Sequence, residues 1–271
     1  MVQQRISPTA VIPRFAEGSV VHLDKKALVV GELLALGNRM RVYAVTEGRD
    51  SLVLKEFLGS ARIADYELET HQAISDHPFV VTFIGQKTVW QDGGRRALTL
   101  MERAPYGDLR DVIRDYGRVR PDIAWLFFDQ IVAALGHMHR QGCVHAGVHP
   151  RNVFAFSPEL CKLGDFGNGH PVFYYDPLAK ISREESRDLL GAADTLLFLL
   201  LGFMPRENED FWVAFKKIGG PKEARHFLAE WELEEVMTVD DAIYVRQFYN
   251  YDCTTRPIPE AYGPLRTSME H

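Results

Sequence analysis

Residues 29–57 alternate between apolar and polar positions in three short runs: VVGELLAL, RVYAV and LVLKEF. A period of two with β-branched residues is typical of half-buried strands, and the turn EGRDS separates the last two runs. Two further strand-like runs, FVVTFIGQKTVW and ALTLME, flank the turn signal QDGGRR. The first three runs predict three short antiparallel strands, and the later two predict two more.

Helical spacing replaces this alternation at two places in the chain. One apolar-periodic segment begins at Ile63 and runs through ADYELETHQAI; after Pro105, DLRDVIRDYG and DIAWLFFDQIVAALGHMHRQG are apolar at i, i+3, i+4 and i+7 and end in Gly. The apolar run from Leu196 to Met204 predicts a buried helix. The order predicts an α+β fold, in which a small antiparallel β lobe with one helix precedes a larger helical lobe.

Composition excludes several classes of protein. The 271 residues are 46% hydrophobic and 25% charged, as in ordinary globular domains, and 31 basic against 37 acidic side chains give a net charge of −6. A nonspecific nucleic-acid binder is therefore disfavoured. Three widely spaced cysteines predict neither a disulfide scaffold nor a zinc site, and no apolar run is long enough to span a membrane. With no apolar signal segment at the N-terminus, we expect an intracellular and most simply cytoplasmic protein.

One lysine and two loop segments carry candidate chemistry. Lys55 lies inside an apolar strand-like run, and taken alone a solvated strand lysine is the alternative to a buried one. A buried ammonium needs a negative partner such as Glu67 or Glu69 on the next helix. The segment VHAGVHPRNVF contains Asn152, and thirteen residues later Asp165 opens the triplet D-F-G. Amide and carboxylate oxygens suit Mg²⁺, so these two residues could hold a metal ion against nucleotide phosphates.

The spacing of His145, Asn152 and D-F-G resembles the catalytic and metal loops of the protein-kinase superfamily. Four further segments match that family in the correct order: HPFVVTFIG, the hinge-like MERAPYGDL, DLLGAADTLLFLLLG and D-C-T-T-R-P. In the third segment the resemblance implies a helix of the large lobe with Asp188 at its start and Gly202 at its end. The resemblance covers roughly residues 28–262. It implies a two-lobed kinase-like fold with a nucleotide cleft between the lobes.

The same resemblance assigns residues to the binding of ATP and Mg²⁺. Lys55, paired with Glu67 and with Glu69 as second choice, would hold the α/β-phosphates, and Asn152 with Asp165 would hold Mg²⁺. Met101 takes the gatekeeper position, the backbone of Glu102 and Ala104 would face adenine, and Asp108 would face the ribose. The glycine-rich loop aligns on Ala35, Gly37, Met40 and Val42, retaining Gly37 and Val42. A plain hairpin without a phosphate role remains an alternative there, because side chains hinder close approach of backbone amides.

The catalytic loop departs from the family pattern at its most important position. Gly147 stands where the resemblance places the aspartate base, and Ala146 replaces the arginine before it. Because general bases contribute about 10²–10⁴ in rate, phosphoryl transfer by the usual arrangement should be crippled. His149 is a surrogate base candidate, since imidazole titrates near neutrality; a structural role is the alternative. Only 22 residues separate Asp165 from Asp188, which leaves little platform for a peptide.

These departures predict a pseudokinase rather than an enzyme: a regulatory scaffold, with weak ATP·Mg²⁺ binding or none, that acts on a protein partner such as another kinase or its substrate. The alternative is an active phosphotransferase, either a protein Ser/Thr kinase or a small-molecule kinase, that uses a displaced base. We expect an extension over residues 1–27, a kinase-like N-lobe over 28–104, a C-lobe over 105–262 and a tail over 263–271. Asp188 should be buried, accepting backbone N–H groups of the His145 loop.

Overall fold

The computed structural model describes residues 15–37, 40–58, 61–91, 94–171 and 178–203. Contacts within the chain divide it into two compact units. Unit 1 comprises Met1–Ala61 and Ile84–Arg103, and unit 2 comprises Arg62–Phe83 and Ala104–His271. The break after Arg103 falls beside the predicted lobe boundary at residue 104. The first helix belongs by its contacts to unit 2, although the chain order grouped it with the strands.

Unit 1 is built on a six-stranded sheet with the order β1-β2-β3-β4-β6-β5. The pairs β1–β2, β2–β3, β3–β4 and β4–β6 are all antiparallel. The strands are β1 (Val20–Leu23), β2 (Lys26–Leu36), β3 (Met40–Glu47), β4 (Asp50–Leu58), β5 (Phe83–Gln91) and β6 (Gly94–Glu102). Their inward positions pack one apolar core that includes Leu28, Tyr43, Leu54 and Leu100. The predicted strands are therefore present, as the alternating pattern requires.

The predicted extension ends earlier than residue 27, and this part of the prediction is wrong. Residues 20–23 form strand β1, which pairs with β2 through a tight turn at Asp24, whose φ is +53°. Val21 and Leu23 are buried whereas Val20 and His22 are exposed, so this strand does alternate. Four residues are too few for the alternation to stand out beside Gly18 and the charged turn. Residues 1–14 lie outside the described part of the chain.

Unit 2 contains the helices and two short strand pairings. The helices are α1 (Ala61–Ile74), α2 (Leu109–Tyr116), α3 (Pro121–Arg140) and α4 (Leu178–Leu201). Strand β7 (Cys143–Val144) pairs with β10 (His170–Pro171), and β8 (Val153–Ser157) pairs with β9 (Leu160–Leu163). A 3₁₀ turn, Pro150–Asn152, precedes β8. A second apolar core joins α3 to α4 and includes Phe127, Phe128, Leu135, Leu196 and Leu199.

Helix α4 begins about three turns before the position that the sequence predicted for it. Asp188 lies within the helix rather than at its start, because the helix begins at Leu178. The apolar pattern gave no signal for these first turns, since most residues from 178 to 188 are polar or charged. The helix ends as predicted: Gly202 has a φ of +79°, and its N–H donates to the carbonyl of Phe198.

Among the described helices, none is both long and apolar enough to cross a membrane. The D-C-T-T-R-P motif and the predicted tail over 263–271 lie outside the described residues.

Candidate functional site

Asp188 anchors the loop that begins at His145. One carboxylate oxygen accepts the N–H of His145 at 2.8 Å, and the other accepts the N–H of Ala146 at 2.8 Å. The Nε2 of His139, at the end of α3, lies 2.9 Å from the first of these oxygens. Asp188 is 1% exposed, so its charge depends on these three donors. The predicted burial and backbone bonds of Asp188 are confirmed.

His145 links this loop to the segment before D-F-G. Its Nε2 donates to the carbonyl of Gly164 at 3.1 Å, and its ring packs edge-on against Phe166 with centroids 5.3 Å apart. Burial lowers the pKa of the imidazole, although Asp188 and the Gly164 carbonyl oppose this shift. Because Nε2 is a donor, the neutral ring carries its proton there. A neutral imidazole therefore holds the two loops together.

Asn152 closes the other end of the loop. Its Nδ2 donates to the carbonyl of Gly147 at 2.9 Å, and its backbone carbonyl accepts the N–H of Gly164 at 2.8 Å. Because Nδ2 is used in this way, Oδ1 is held on the opposite branch of the amide. Asp165 adopts the left-handed region with a φ of +58°, an unusual conformation for a residue other than glycine.

The donor chemistry of Asn152 and Asp165 suits Mg²⁺, which takes oxygen ligands and retains several waters. An all-protein cage is not expected for such an ion. Consistent with this, the described residues contain no group of three or more His, Cys, Asp or Glu side chains that could hold a metal ion. The hydrogen bond to Gly147 orients the amide oxygen of Asn152, and for this reason Asn152 fits the role of an Mg²⁺ ligand.

Glu67 and Glu69 were both candidates for pairing with Lys55, and the structure separates them by burial. Glu67 is 5% exposed, whereas Glu69 is exposed on the outer face of α1. A Cβ placed on Gly167 would lie 3.1 Å from Oε2 of Glu67 and 3.5 Å from Oδ1 of Asp165. The Glu67 carboxylate therefore lies beside D-F-G, which favours Glu67. Lys55 belongs to unit 1, and its pairing with Glu67 stays a prediction.

Position 147 is tight for a side chain, because it adjoins the amide of Asn168. A Cβ built on Gly147 would lie 3.0 Å from Nδ2 of Asn168 and 3.6 Å from Nδ1 of His145. The residue has no positive φ, so its backbone does not require glycine. The backbone conformation of the loop therefore does not explain why glycine replaces the aspartate base at this position.

His149, the predicted surrogate base, is exposed and caps the 3₁₀ turn at Pro150–Asn152. Its Nδ1 accepts the N–H of Arg151 at 3.2 Å. An accepting Nδ1 requires that the neutral ring carry its proton on Nε2, where it is a donor. In this arrangement neither ring nitrogen is available as a base.

Lys55 is nearly buried in the sheet of unit 1. It lies opposite Val42 on β3 and Thr99 on β6, and its Nζ is 4.9 Å from the centroid of the Phe57 ring. Only 5% of Lys55 is exposed, so its ammonium is largely removed from water. Its neighbours Leu54 and Glu56 are buried as well, so the burial of Lys55 does not follow from alternation along the strand.

The hairpin that aligns with a glycine-rich loop connects β2 to β3. The two strands pair with register shifts between Val30 and Ala35; beyond them Val42 lies opposite Ala35, and the N–H of Gly37 donates to the carbonyl of Met40 at 2.9 Å. A Cβ on Gly37 would lie 3.2 Å from Cγ of Met40. The side chains of Ala35 and Met40 thus take positions where the family pattern has glycine, and a phosphate role for this hairpin stays a prediction.

The hinge-like segment contains the remaining predicted nucleotide residues. Met101 and Glu102 end β6 opposite Val53 and Leu52, and the carbonyl of Ala104 accepts the N–H of Gly107 in a turn. Asp108 caps α2: one of its oxygens accepts the N–H groups of Arg110 and Asp111 at 2.8 and 2.9 Å. Burial raises the pKa of Asp108. Its position therefore has a structural explanation, and a ribose contact stays a prediction.

Sequence reasoning missed two residues that shape the loop. His139 supplies the third donor to Asp188, and Gly191 allows α4 to approach the loop, since a Cβ there would lie 2.4 Å from the carbonyl oxygen of Val148. Both act across more than forty residues of chain. Spacing along the sequence gives no signal for such contacts.

A family model described as "Protein kinase domain" matches residues 36–173, about half of the chain. The chain belongs to the protein kinase domain family. The predicted superfamily is thereby confirmed, and the catalytic loop, D-F-G and the hinge segment all lie within the matched kinase region.

Curated relatives are kinases, and this kinase domain is similar to part of each. The serine/threonine-protein kinase mos of Xenopus laevis is 29% identical over 169 residues, which cover 59% of this chain and 46% of that protein. Serine/threonine protein kinase OSK3 of Oryza sativa subsp. indica is 30% identical over 137 residues, covering 45% and 27% respectively. The matches thus span less than half the length of these relatives.

Solved structures show the same fold. The Rad53 kinase domain with SCD2 matches with a TM-score of 0.63 and 19% identity, covering 84% of this chain and 92% of that one. Rad53 1–466 in complex with AMP-PNP matches with a TM-score of 0.64 and 19% identity, covering 82% and 65%. The predicted α+β kinase-like fold is confirmed.

Proposed function

We propose that this kinase domain is a pseudokinase, a regulatory scaffold that binds ATP·Mg²⁺ weakly and acts through a protein partner. The observation that carries the proposal is Gly147. The loop around it is held by hydrogen bonds: Asp188 accepts the backbone N–H groups of His145 and Ala146, and Asn152 donates to the carbonyl of Gly147. Position 147 itself offers no group that can accept a proton from a substrate hydroxyl.

The geometry of His149 supports the same proposal. A surrogate base needs a free lone pair, and in the neutral ring the accepting nitrogen already caps Arg151. To act as a base, the imidazole would have to give up that bond or change its tautomer. Restoring a base by this route therefore costs the loop one of its own hydrogen bonds.

Weak nucleotide binding is proposed from the residues that are retained. Lys55 and Glu67 would act on the phosphates, Asn152 and Asp165 would hold Mg²⁺, and the ion when bound would offset phosphate charge. The hinge contributors would be Met101, Glu102, Ala104 and Asp108, with Gly37 and Val42 covering the nucleotide. The AMP-PNP complex of the structural neighbour Rad53 supports ATP as the ligand class. The replaced glycines at Ala35 and Met40 argue for low affinity.

The partner class and the lobes are also proposals. Between D-F-G and the start of α4 at Leu178 the chain has ten residues, which is little for a peptide-docking segment. A partner such as another kinase or its substrate would therefore be regulated through conformation rather than by phosphorylation. We assign the N-lobe to residues 28–104, adding β1, and the C-lobe to 105–262, and we place the protein in the cytoplasm.

Nucleotide binding with and without Mg²⁺ tests the scaffold proposal. A ligand at about ten times its Kd stabilises the folded state by about 1.4 kcal/mol, so millimolar ATP·Mg²⁺ should raise the Tm modestly. Lys55→Met should abolish the rise, and Asp165→Ala should abolish its Mg²⁺-dependent part. Lys87→Met, on the edge strand β5, is the matched control and should respond like wild type. An unmoved Tm together with no calorimetric heat would show that this domain binds no nucleotide.

An active phosphotransferase is the second candidate, favoured by the retained Lys55, Asn152 and Asp165 and by curated relatives that are kinases. It predicts phosphate transfer by wild type that disappears in Asp165→Ala and, if His149 is the base, in His149→Ala. The scaffold proposal predicts transfer at background in all three. Gly147→Asp should recover little rate, because substrate positioning is lacking as well and the new carboxylate would meet the Asn168 amide.

A further inference from the structure

Two histidines stack where the segment after α1 meets α3. The rings of His77 and His137 lie with their centroids 4.9 Å apart and their planes at 22°. Both residues belong to unit 2, and neither has a role in the proposed nucleotide site. Two imidazolium charges at this separation repel each other, so a charge on the His137 side disfavours a proton on His77.

The groups around the pair treat the two rings differently. Nε2 of His137 lies 3.0 Å from Oδ1 of the exposed Asp76, and the two atoms are not aligned as a hydrogen bond. Nδ1 of His77 accepts the N–H of Phe79 at 3.3 Å. Arg140, one turn beyond His137 on α3, adds a positive charge.

The His77 ring is therefore held in its neutral form. Burial, His137 and Arg140 all lower its pKa, and Asp76 opposes them only in part. A proton on Nδ1 would also remove the acceptor that Phe79 uses. His77 thus supports the local backbone only while it is uncharged.

The segment that His77 holds also supports β9. The carbonyl of Phe79 accepts the N–H of Leu163 at 2.8 Å, and the carbonyl of Leu163 accepts the N–H of Val81 at 2.9 Å. Nε2 of His71 donates to the carbonyl of Val81 at 2.6 Å. Leu163 ends β9 and lies two residues before Asp165, so the histidine pair is connected by backbone bonds to the D-F-G segment.

We propose that His77 and His137 form an acid-sensitive latch between residues 76–81 and helix α3. In the closed state the His77 ring is uncharged and its Nδ1 accepts the Phe79 N–H. A proton on His77 breaks this bond, releases residues 76–81 from α3 and loosens β9. The opening couples proton uptake to the strand that leads into Asp165, and it requires no nucleotide.

Hydrogen exchange on the full chain tests the latch. After correction for the intrinsic pH dependence of exchange, peptides covering residues 76–83 and 160–165 should exchange about tenfold faster at about pH 5 than at about pH 7.5. His77→Phe keeps a ring in the stack but cannot take a proton, so its exchange should lose this acid response. His22→Gln, an exposed histidine on β1, is the control and should respond like wild type.

Two results would overturn the proposal. One is wild-type exchange of both segments that is the same at the two pH values. The other is an acid response that persists in His77→Phe, which would assign it to another group such as His145. If His77→Phe fails to fold, the resonances of the wild-type protein decide: the Phe79 amide should shift as the His77 ring takes up its proton, and a Phe79 amide that does not follow that titration contradicts the latch.

Discussion

The loop from His145 to Asn152 has two sides that differ in what they retain. The anchored side consists of His145, Val148 and Asn152, which are buried and tied to α4 and D-F-G. The open side consists of Ala146, Gly147 and His149, and it lacks both the arginine and the aspartate of the kinase pattern. A loop can therefore keep a kinase-like conformation after the groups that would act on a substrate have been replaced. Conformation and chemistry are specified by different residues here.

Removing the anchor should have the largest effect. Asp188→Ala leaves two backbone N–H groups and the buried His139 without their acceptor, so the free energy of unfolding should fall by about 2–4 kcal/mol. Urea denaturation measures this loss. Arg187→Gln, at an exposed position on the same helix, should change stability by less than about 0.5 kcal/mol. Similar losses in the two variants would contradict a stabilising role for the hydrogen bonds that Asp188 accepts.

The contact between α4 and the loop offers a second way to disturb the anchored side. Gly191→Ala places a methyl group 2.4 Å from the carbonyl oxygen of Val148 and 2.8 Å from its Cβ, so the helix and the loop must separate. Overpacking of this kind costs about 1–3 kcal/mol. Leu190→Ala, at an exposed neighbouring position, serves as the control in the same denaturation experiment. Equal stability of Gly191→Ala and wild type would contradict the close approach.

Acid should weaken the anchored side through His145. Burial lowers its folded-state pKa below the ordinary value of 6.5, whereas the unfolded chain titrates near that value. The unfolded state therefore binds more protons, and stability that is present above pH 6.5 is lost as the pH falls through the lowered pKa. The loss is at most about 1.4 kcal/mol per pH unit for each proton.

The measurement for His145 is urea unfolding at several pH values between about 7 and 5. His145→Asn should be less stable than wild type at neutral pH but should lose less stability on acidification. The slope that remains belongs to other groups, among them His77, whose pKa is also lowered. A slope unchanged by His145→Asn would mean that His145 does not titrate in this range.

The open side should respond least, and in the opposite direction. Ala146 has a φ of +53°, a conformation that glycine adopts without strain. Ala146→Gly keeps the N–H that Asp188 accepts and relieves this strain, which should raise the free energy of unfolding by about 0.5–1 kcal/mol. The larger backbone entropy that glycine loses on folding offsets part of this gain. Differential scanning calorimetry should show a slightly higher Tm. A clear destabilisation would indicate that the methyl group makes a contact of its own.

The sequence was sufficient where the determining pattern is local. Alternation predicted β2, β3 and β4, and apolar spacing predicted α2 and α3, because each pattern lies within one element. The burial of Asp188 could also be predicted, since a carboxylate in an apolar helix needs donors. The first turns of α4 were missed because they carry no apolar stripe. His139 and Gly191 were missed because their roles depend on contacts between distant segments.

The anchor at Asp188 binds the main chain of residues 145 and 146 and not their side chains. Every amino acid except proline supplies the N–H that this carboxylate needs. Substitutions on the open side, including the loss of the arginine and the aspartate, can therefore accumulate over evolution without dismantling the loop. By the same reasoning, proline at position 146 is the change that the loop cannot accommodate, because it removes a donor that no side chain replaces.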